Sequence, residues 1–384
     1  MDSASPSAST PLTDELVERV RLDGPLRFDA FMEAVLYDPR RGFYATGGRA
    51  GARAGDFLTS PEVGPLFGAV VARAIDHWWV EAGSPERFTV VEPGAGPGTL
   101  AAAVRLASPV CTDRLQWVLV ERTAAQRARH VERLGASSDP DSHRPISGVH
   151  LVSVASLPDS FPADVVLANE LLDNLPVRVA QRTTTGWSEV WVGVEGSGLV
   201  EELQPLPTDD PDSLMLDRLV PDASPGQRVP LQHEARSWLR WALGAVGTRG
   251  RVVVLDYADT TASMARRGPE AWMRTYASHG RGAGPLEACG TQDLTCDVAV
   301  DQLAEVRPPD AEVTQADFLG SHGIDELVEQ GRQMWVERAH IGDLAAVRAR
   351  SRVREAEALV DLDGLGAHRV LEWWPTDTAD PGSG

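Results

Sequence analysis

Residues Phe88–Leu100 read FTVVEPGAGPGTL. Phe88, Val90 and Val91 form an apolar strand, Glu92 closes it, and glycines follow at 94, 96 and 98. Thr99 and Leu100 lead into an alanine-rich helical run, AAAVRLA. Strand, glycine turn and helix make a nucleotide-type pocket: glycines turn tightly and let a ligand approach the backbone, and a helix start presents free N–H groups. A dinucleotide turn, G-x-G-x-x-G, needs its third glycine where this chain has Thr99, with Gly98 one residue early. Glu92 would also repel a pyrophosphate. The pocket therefore suits a cationic ligand.

Composition narrows the class. The chain has 384 residues and a formal net charge of −20, and lysine is absent, so every basic side chain is arginine or histidine. Such acidity argues against a general nucleic-acid binder, since phosphates meet repulsion over most of the surface. No apolar run approaches the ~20 residues of a membrane helix, so no spanning segment is expected. The opening MDSASPSASTPL lacks the basic-then-apolar layout of a signal peptide, and residues 1–12 read as a disordered leader. Cys111, Cys289 and Cys296 make a poor disulfide framework and fit a reducing cytoplasm, and the arginine-only, alanine-rich composition points to a GC-rich bacterial genome. Neither cysteines nor histidines fall at metal-ligand spacings, so no metal is expected.

Outward from the turn, strand and helix signals alternate. Phe88–Glu92, Gln116–Glu121, Val149–Val154, Ala163–Asn169 and Arg251–Tyr257 are apolar, β-branched runs. Helical runs cover Thr99–Ala107 and Ala124–Leu134, and another holds Trp238, Leu239, Trp241, Ala242 and Val246. A strand near Glu312–Gln315, a helical region from Ile324 to Val360 and a final strand, His368–Trp374, complete the pattern. It predicts an α/β fold, Rossmann-like, with a mostly parallel sheet covered by helices on both faces. The core is expected over residues 84–180, 229–259 and 297–375. A helical and glycine-loop extension occupies 13–83, with Thr13 capping its first helix and helix starts at Ser60-Pro61 and Gly64-Pro65. An antiparallel insertion occupies 181–228, in which Pro205–Pro225 reads as an exposed loop, and a polar, glycine-rich insertion occupies 260–296. Residues 376–384 read as a disordered tail, and the Trp78-Trp79 and Trp373-Trp374 pairs as core.

S-adenosyl-L-methionine, with a sulfonium and an ammonium, satisfies the cationic requirement at Glu92, Gly94, Gly96 and Gly98. Glu121 closes the second strand, where an acid can accept from both ribose hydroxyls; an exposed acid paired with Arg122 or Arg127 is the plainer alternative. The fourth strand runs into Asn169, Glu170 and Asp173, at the rim where open parallel sheets bind ligands. An amide and two acids there can hold an amine or guanidinium acceptor, or merely cap a helix start. Asp256 and Tyr257 end the fifth strand on the same rim. Glu62 is either a first-turn acid complementing a helix dipole or a ligand group. Arg274 and His279 lie in the second insertion.

Segments along nearly the whole chain resemble the MidA-like class I methyltransferases. They are LYDPRRGFY (Leu36–Tyr44), GDFLTSPEVGPLFG (Gly55–Gly68), VEPGAGPGTL, LVERTAAQ (Leu119–Gln126), ANELLDNLPV (Ala168–Val177), VVLDYA (Val253–Ala258), RTYASH (Arg274–His279), GTQDLTCDV (Gly290–Val298) and TQADFLGSHGI (Thr314–Ile324). The resemblance implies an S-adenosylmethionine-dependent methyltransferase whose mitochondrial relatives are complex I assembly factors described as protein-arginine methyltransferases. It therefore implies a protein partner, such as a respiratory-complex subunit; the bacterial cytoplasm is expected from the cysteines and the composition instead. Ala258 replaces the family's usual glycine, and Trp272-Met273-Arg274 its usual T-L-R. The expected acceptor is an arginine side chain, with Glu170, Asp173 and Glu62 holding the guanidinium and His279 or Asp256 taking its proton. Glu92, the three glycines, Glu121 and Asn169 would hold the cofactor, with Asp56 and Thr59 closing over it. Two other readings are a small-molecule N- or O-methyltransferase and a cofactor-binding assembly chaperone with little turnover.

Overall fold

The computed structural model describes residues 10–46, 59–139, 148–277, 280–341 and 343–374. Two compact units emerge from it. One gathers Thr59–Leu171, Arg240–Asp256 and the chain from Pro309 onward; the other gathers the N-terminal residues through Leu58, Leu172–Leu239 and Tyr257–Pro308.

The first unit is built on a seven-stranded sheet. Its strands are β1 (Phe88–Pro93), β2 (Leu115–Val120), β3 (His150–Val154), β4 (Val165–Asn169), β5 (Arg251–Asp256), β6 (Ala311–Thr314) and β7 (Arg369–Trp373), in the order β3-β2-β1-β4-β5-β7-β6. β1 to β5 pair in parallel, and β7 runs antiparallel to both its neighbours. This is the doubly wound order 3-2-1-4-5-6 with one reversed strand inserted before the last. The α/β expectation holds, and each strand lies within two residues of its apolar run. Strands buried on both faces read as continuous hydrophobic stretches, which is why they are legible. The strand order reverses between β1 and β4, so the switch point falls at the carboxyl ends of those strands, where Glu92 and Asn169 lie.

Helix α1 (Pro65–Glu81) lays Phe67, Val70, Val71, Ala74 and Trp78 into the core with Phe88 and Val90. The segment from Thr59 thus belongs to the sheet-bearing unit, which corrects the extension expected to run through residue 83. α1 meets α2 (Thr99–Ala107) at Gly68, where a Cβ would lie 2.3 Å from the Cβ of Ala103. α3 (Ala124–Leu134) follows β2. After α4 (Gln315–Ser321), the helical region from Ile324 divides into α5 (Ile324–Arg338) and α6 (Leu344–Val360), whose Asp343 N-cap accepts from the amide of Ala346. The two cross closely at Gly331, where a Cβ would lie 2.7 Å from the carbonyl oxygen of Ala349. Among the described residues, no helix is long and apolar enough to cross a membrane.

The second unit carries a five-stranded sheet. Gly186–Glu195 pairs antiparallel with Arg178–Thr183, Gly198–Pro205 and Leu26–Arg27, and Arg228–Leu231 continues beside Arg178–Thr183. Helices Pro11–Asp23 and Phe28–Tyr37 pack Leu16, Val20, Phe31 and Met32 with Val179, Val190 and Val192 of that sheet. Thr10, rather than Thr13, caps the first helix: its Oγ accepts from the Thr13 amide at 3.1 Å, Pro11 starts the helix and Leu12 is buried. Residues 10–12 are therefore helix and its cap, not leader. The expected loop Pro205–Pro225 contains a helix, Pro211–Leu219, whose Met215 and Leu216 pack with Ala180 and Val229. Its Pro/Asp-rich start misleads because Asp210 and Pro211 are a cap and a first-turn proline. The 260–296 insertion folds into short helices and a three-stranded sheet centred on Met273–Ala277. The first nine residues and those after Trp374, expected to be disordered, lie outside the described residues, as do Asp56 and His279.

The contact at Gly68 gives a prediction opposite in sign to helix propensity. Alanine normally favours a helix over glycine by about 1 kcal/mol. Gly68→Ala should instead destabilise the protein by about 1–3 kcal/mol through overpacking against Ala103, read as a lower urea midpoint.

Candidate cofactor and acceptor site

Glu92, the penultimate residue of β1, lies at the switch point and is only 5% exposed. Its Oε2 accepts a 2.6 Å bond from Nε1 of Trp117 on β2. Burial pushes its carboxyl up to about 8; the Trp117 bond works against this rise and the nearby Glu121 adds to it. Such a group is poised to ionise when a cation arrives.

The turn after Glu92 holds Gly94, Gly96 and Gly98 at φ of 69°, 51° and 78°. Gly98 is doubly constrained, since a Cβ there would also lie 2.7 Å from Leu134 Cδ1. Gly96 differs: a Cβ would meet nothing nearer than the Gly94 carbonyl at 4.0 Å, so space for a ligand opens over this residue. The Gly96 backbone is held on both sides. Its N–H donates to Glu121 Oε2 at 3.0 Å, and its carbonyl accepts from His130 Nε2 at 2.7 Å. His130 lies on α3, is fully buried, and accepts at Nδ1 from the Ser153 hydroxyl of β3 at 2.8 Å. The Gly96 carbonyl can only accept, so Nε2 carries a proton, and burial, which lowers the pKa of the ring, favours the neutral form in which Nδ1 accepts from Ser153. Glu121 stands just beyond β2; its other oxygen accepts from the Thr123 amide at 2.7 Å, and burial raises its pKa. Each oxygen keeps a lone pair for a ribose hydroxyl, so clamping the turn and binding a sugar are compatible.

At the end of β4, the Asn169 side-chain nitrogen donates to Glu170 Oε1 at 3.2 Å, and its Oδ1 is buried without a hydrogen-bond partner among the described residues. A buried acceptor of this kind needs a donor, and the ammonium of S-adenosylmethionine supplies one. Open space over Gly96, the buried carboxyl of Glu92 and the unmet oxygen of Asn169 together fit that cofactor. Glu170 takes φ of 49°, a conformation that non-glycine residues rarely hold and that concentrates at functional sites. Its Oε1 also accepts from the Ser60 amide at 3.0 Å, while the Ser60 hydroxyl donates to Gln315 at 2.8 Å. Ser60 begins a one-turn helix, Ser60–Val63, for which Thr59 is the N-cap residue and which carries Glu62 in its first turn. The structure thus brings Asn169, Glu170 and the Thr59–Glu62 turn together. Asp256 is buried at the end of β5, one residue past the Leu255–Asn169 pair of the ladder.

The other unit holds Asp173, buried on the one-turn helix Leu172–Asn174. Asn174 beside it donates to Asp293 at 3.1 Å and lies 2.9 Å from the Tyr44 hydroxyl, which is also 3.2 Å from Asp293. Tyr37 donates to the Asn174 carbonyl and stacks on Tyr44 at 5.4 Å. Burial, then the charge of Asp293, pushes the Tyr44 hydroxyl well above its ordinary value. Arg274 pairs with Asp297 and covers the ring of Tyr257 at 5.0 Å. The residues alone do not point to His130, Ser153 or Asp293, and they mark Ser60 only as a helix start. A lone histidine on a helix and single serines carry no spacing signal, and Asp293 shows only through the resemblance of its segment.

Residues 70–318 match the model of a family described as putative S-adenosyl-L-methionine-dependent methyltransferases. The mitochondrial protein arginine methyltransferase NDUFAF7 of Rattus norvegicus is 28% identical over 354 residues, covering 82% of this chain and 75% of that protein. The Homo sapiens protein of the same name is 27% identical over 354 residues, covering 82% and 74%. A crystal structure from Burkholderia thailandensis bound to S-adenosyl-homocysteine matches with a TM-score of 0.78 and 25% identity, covering 96% of this chain and 95% of that one.

Two expectations follow from this geometry. A cation beside Glu92 favours its ionised form, so binding S-adenosylmethionine at neutral pH should release a proton. Affinity should then rise roughly tenfold per pH unit as pH approaches about 8, and flatten above it. Calorimetry in buffers of differing ionisation heat reads both. His130→Phe keeps a ring but frees the Gly96 carbonyl, and should weaken cofactor binding roughly tenfold or more. Equilibrium dialysis against the labelled donor measures that loss.

Proposed function

The chain belongs to this family of S-adenosyl-L-methionine-dependent methyltransferases, and from that premise we propose that it methylates an arginine side chain of a protein partner. The observation that carries the acceptor is the similarity, across 82% of the chain, to proteins described as protein arginine methyltransferases. The rim chemistry is consistent with it. A guanidinium stays protonated in water, with a pKa of roughly 12.5–13.8, so its site needs carboxylates to bind the cation and turn one nitrogen toward the donor.

S-adenosylmethionine supplies an electrophilic methyl carbon on a sulfonium. Glu92 and Asn169 would hold its cationic end, Glu121 its ribose, and the Gly96 backbone would form the floor beneath it. Glu170, Asp173 and Glu62 would bind and orient the guanidinium. Transfer would form the N–C bond as the methyl carbon's bond to sulfur breaks, the sulfur leaving as a neutral thioether, and Asp256 or His279 would accept the proton that the nitrogen sheds. The chain passes from one unit to the other directly after Glu170-Leu171 and directly after Asp256. Transfer of this kind rests on positioning and charge rather than on covalent help from the protein.

Incubating the protein with a labelled methyl donor and an extract of its host, followed by mass spectrometry, identifies the acceptor. Label on an arginine of one protein is expected. Label on a metabolite alone would move the acceptor to a small molecule, and no label at all would favour an assembly chaperone. Asp173→Asn should lower kcat/KM for the acceptor roughly a hundredfold while leaving the affinity for S-adenosylmethionine unchanged, since the cofactor contacts belong to other residues.

A further inference from the structure

The turn between α5 and α6 departs from the rest of the molecule in two ways. Between Arg332 and Arg354 the chain has six arginines and only two acids, within a protein of net charge −20. The same stretch exposes large apolar side chains: Met334, Val336, Ile341, Leu344 and Val347 account for five of the thirteen on the described surface. Val336 and Leu344 are 78% and 75% exposed. Scattered singly, such residues need no explanation; gathered within fourteen positions, they do.

The hairpin also projects. Gly331 crosses closely against Ala349, and Ala346, three residues nearer the turn, is also fully buried. From Gly331 to the end of α5 at Arg338 the helix advances roughly 10 Å at 1.5 Å per residue, and no residue whose side chain is described between Arg332 and Leu344 is buried. Arg350 lies over the ring of Trp335 at 5.1 Å, and Arg348, Arg350 and Arg354 are exposed. Arg338 is held by Asp343 and Arg332 by Glu329, so the outward charge is that of the exposed Arg348, Arg350 and Arg354 against the exposed Glu337.

We propose that this hairpin turn docks on an anionic lipid bilayer, its aliphatic side chains entering the headgroup boundary and its arginines meeting the lipid phosphates. The side chains match: interfacial segments bury an apolar face roughly 5–10 Å deep, and the exposed Val336, Ile341 and Leu344 are of the kind that enters there. The charge matches as well, since each arginine near an anionic surface adds attraction, and screening beyond roughly 8 Å hides the acidic remainder of the protein. A protein partner fits less well. A stable protein interface takes about 800 Å² and 20–30 residues from each side, more than a two-helix tip of five exposed apolar side chains presents. This docking is peripheral and is independent of which acceptor the enzyme uses.

Co-sedimentation of the full chain with phosphatidylglycerol–phosphatidylcholine vesicles tests the inference, with pure phosphatidylcholine vesicles as the comparison. Binding is expected to the anionic vesicles only and to weaken with salt. Arg348→Glu with Arg350→Glu should lower partitioning at least roughly tenfold, and Ile341→Ser with Leu344→Ser should lower it at any ionic strength. Both variants should keep wild-type S-adenosylmethionine affinity and urea midpoints, because the altered side chains are exposed. Absence of binding to anionic vesicles would overturn the proposal, as would binding that neither variant weakens. So would concentration-dependent self-association in sedimentation velocity that either variant abolishes, since the occupant would then be a second copy of the chain.

Discussion

A single glycine residue with both of its backbone polar groups tied down governs the geometry of the sheet-bearing unit's functional rim. The N–H of Gly96 is taken by Glu121 and its carbonyl by His130. The first partner comes from the loop after β2 and the second from α3, which Ser153 of β3 holds in turn. Three successive strands therefore converge on one glycine. The arrangement leaves the turn little freedom to relax when a ligand arrives, so the cost of ordering it is met during folding rather than during binding. It also explains why a buried acid and a buried histidine, each expensive to desolvate, are kept beside each other: every polar atom of the clamp has a partner.

Glu92 sets an opposing demand. Its folded-state pKa, about 8, lies above the ordinary 4.5. The proton it retains favours the folded protein below about 4.5, and that contribution is lost as pH rises through about 8. A cationic cofactor reverses the sign, because it stabilises the ionised form. Near neutrality, then, the fold without cofactor is comfortable with a neutral Glu92 and the fold with cofactor is comfortable with a charged one. Trp117 serves both states by donating to the carboxyl whichever is present.

The sheet was the most legible feature of the chain. Strands such as Phe88–Pro93 and Arg251–Asp256 are buried on both faces and write themselves as unbroken apolar runs, and the glycines with positive φ stand between strand and helix as the ligand-binding pattern requires. The residues proposed for the cofactor, Glu92 through Gly98 with Glu121 and Asn169, were chosen from their position along those strands. Long-range polar pairing was not legible. His130 reaches Gly96 across thirty-four residues, and Ser60 reaches Glu170 across more than a hundred; neither spacing leaves a local signature. The helix Pro211–Leu219 was hidden for a different reason, because its cap and first-turn proline share their composition with loops. Arg178, which bonds both oxygens of Glu189 and one of Asp212 in the second unit, likewise reads as an ordinary surface arginine until the fold buries it.

The position of β7 has a consequence for how the chain is made. Arg369–Trp373 lies between β5 and β6 and supplies hydrogen bonds to both. During synthesis, β1 to β5 can emerge and pair in order, but β5 keeps an open edge until more than a hundred further residues have left the ribosome. β6 has no partner at all before then. Ladders that close so late over such separations form slowly and leave strand edges exposed to other nascent chains. The last strand to be translated is therefore the one that seals the sheet, and the half-finished chain is the state in which this protein is most exposed to aggregation.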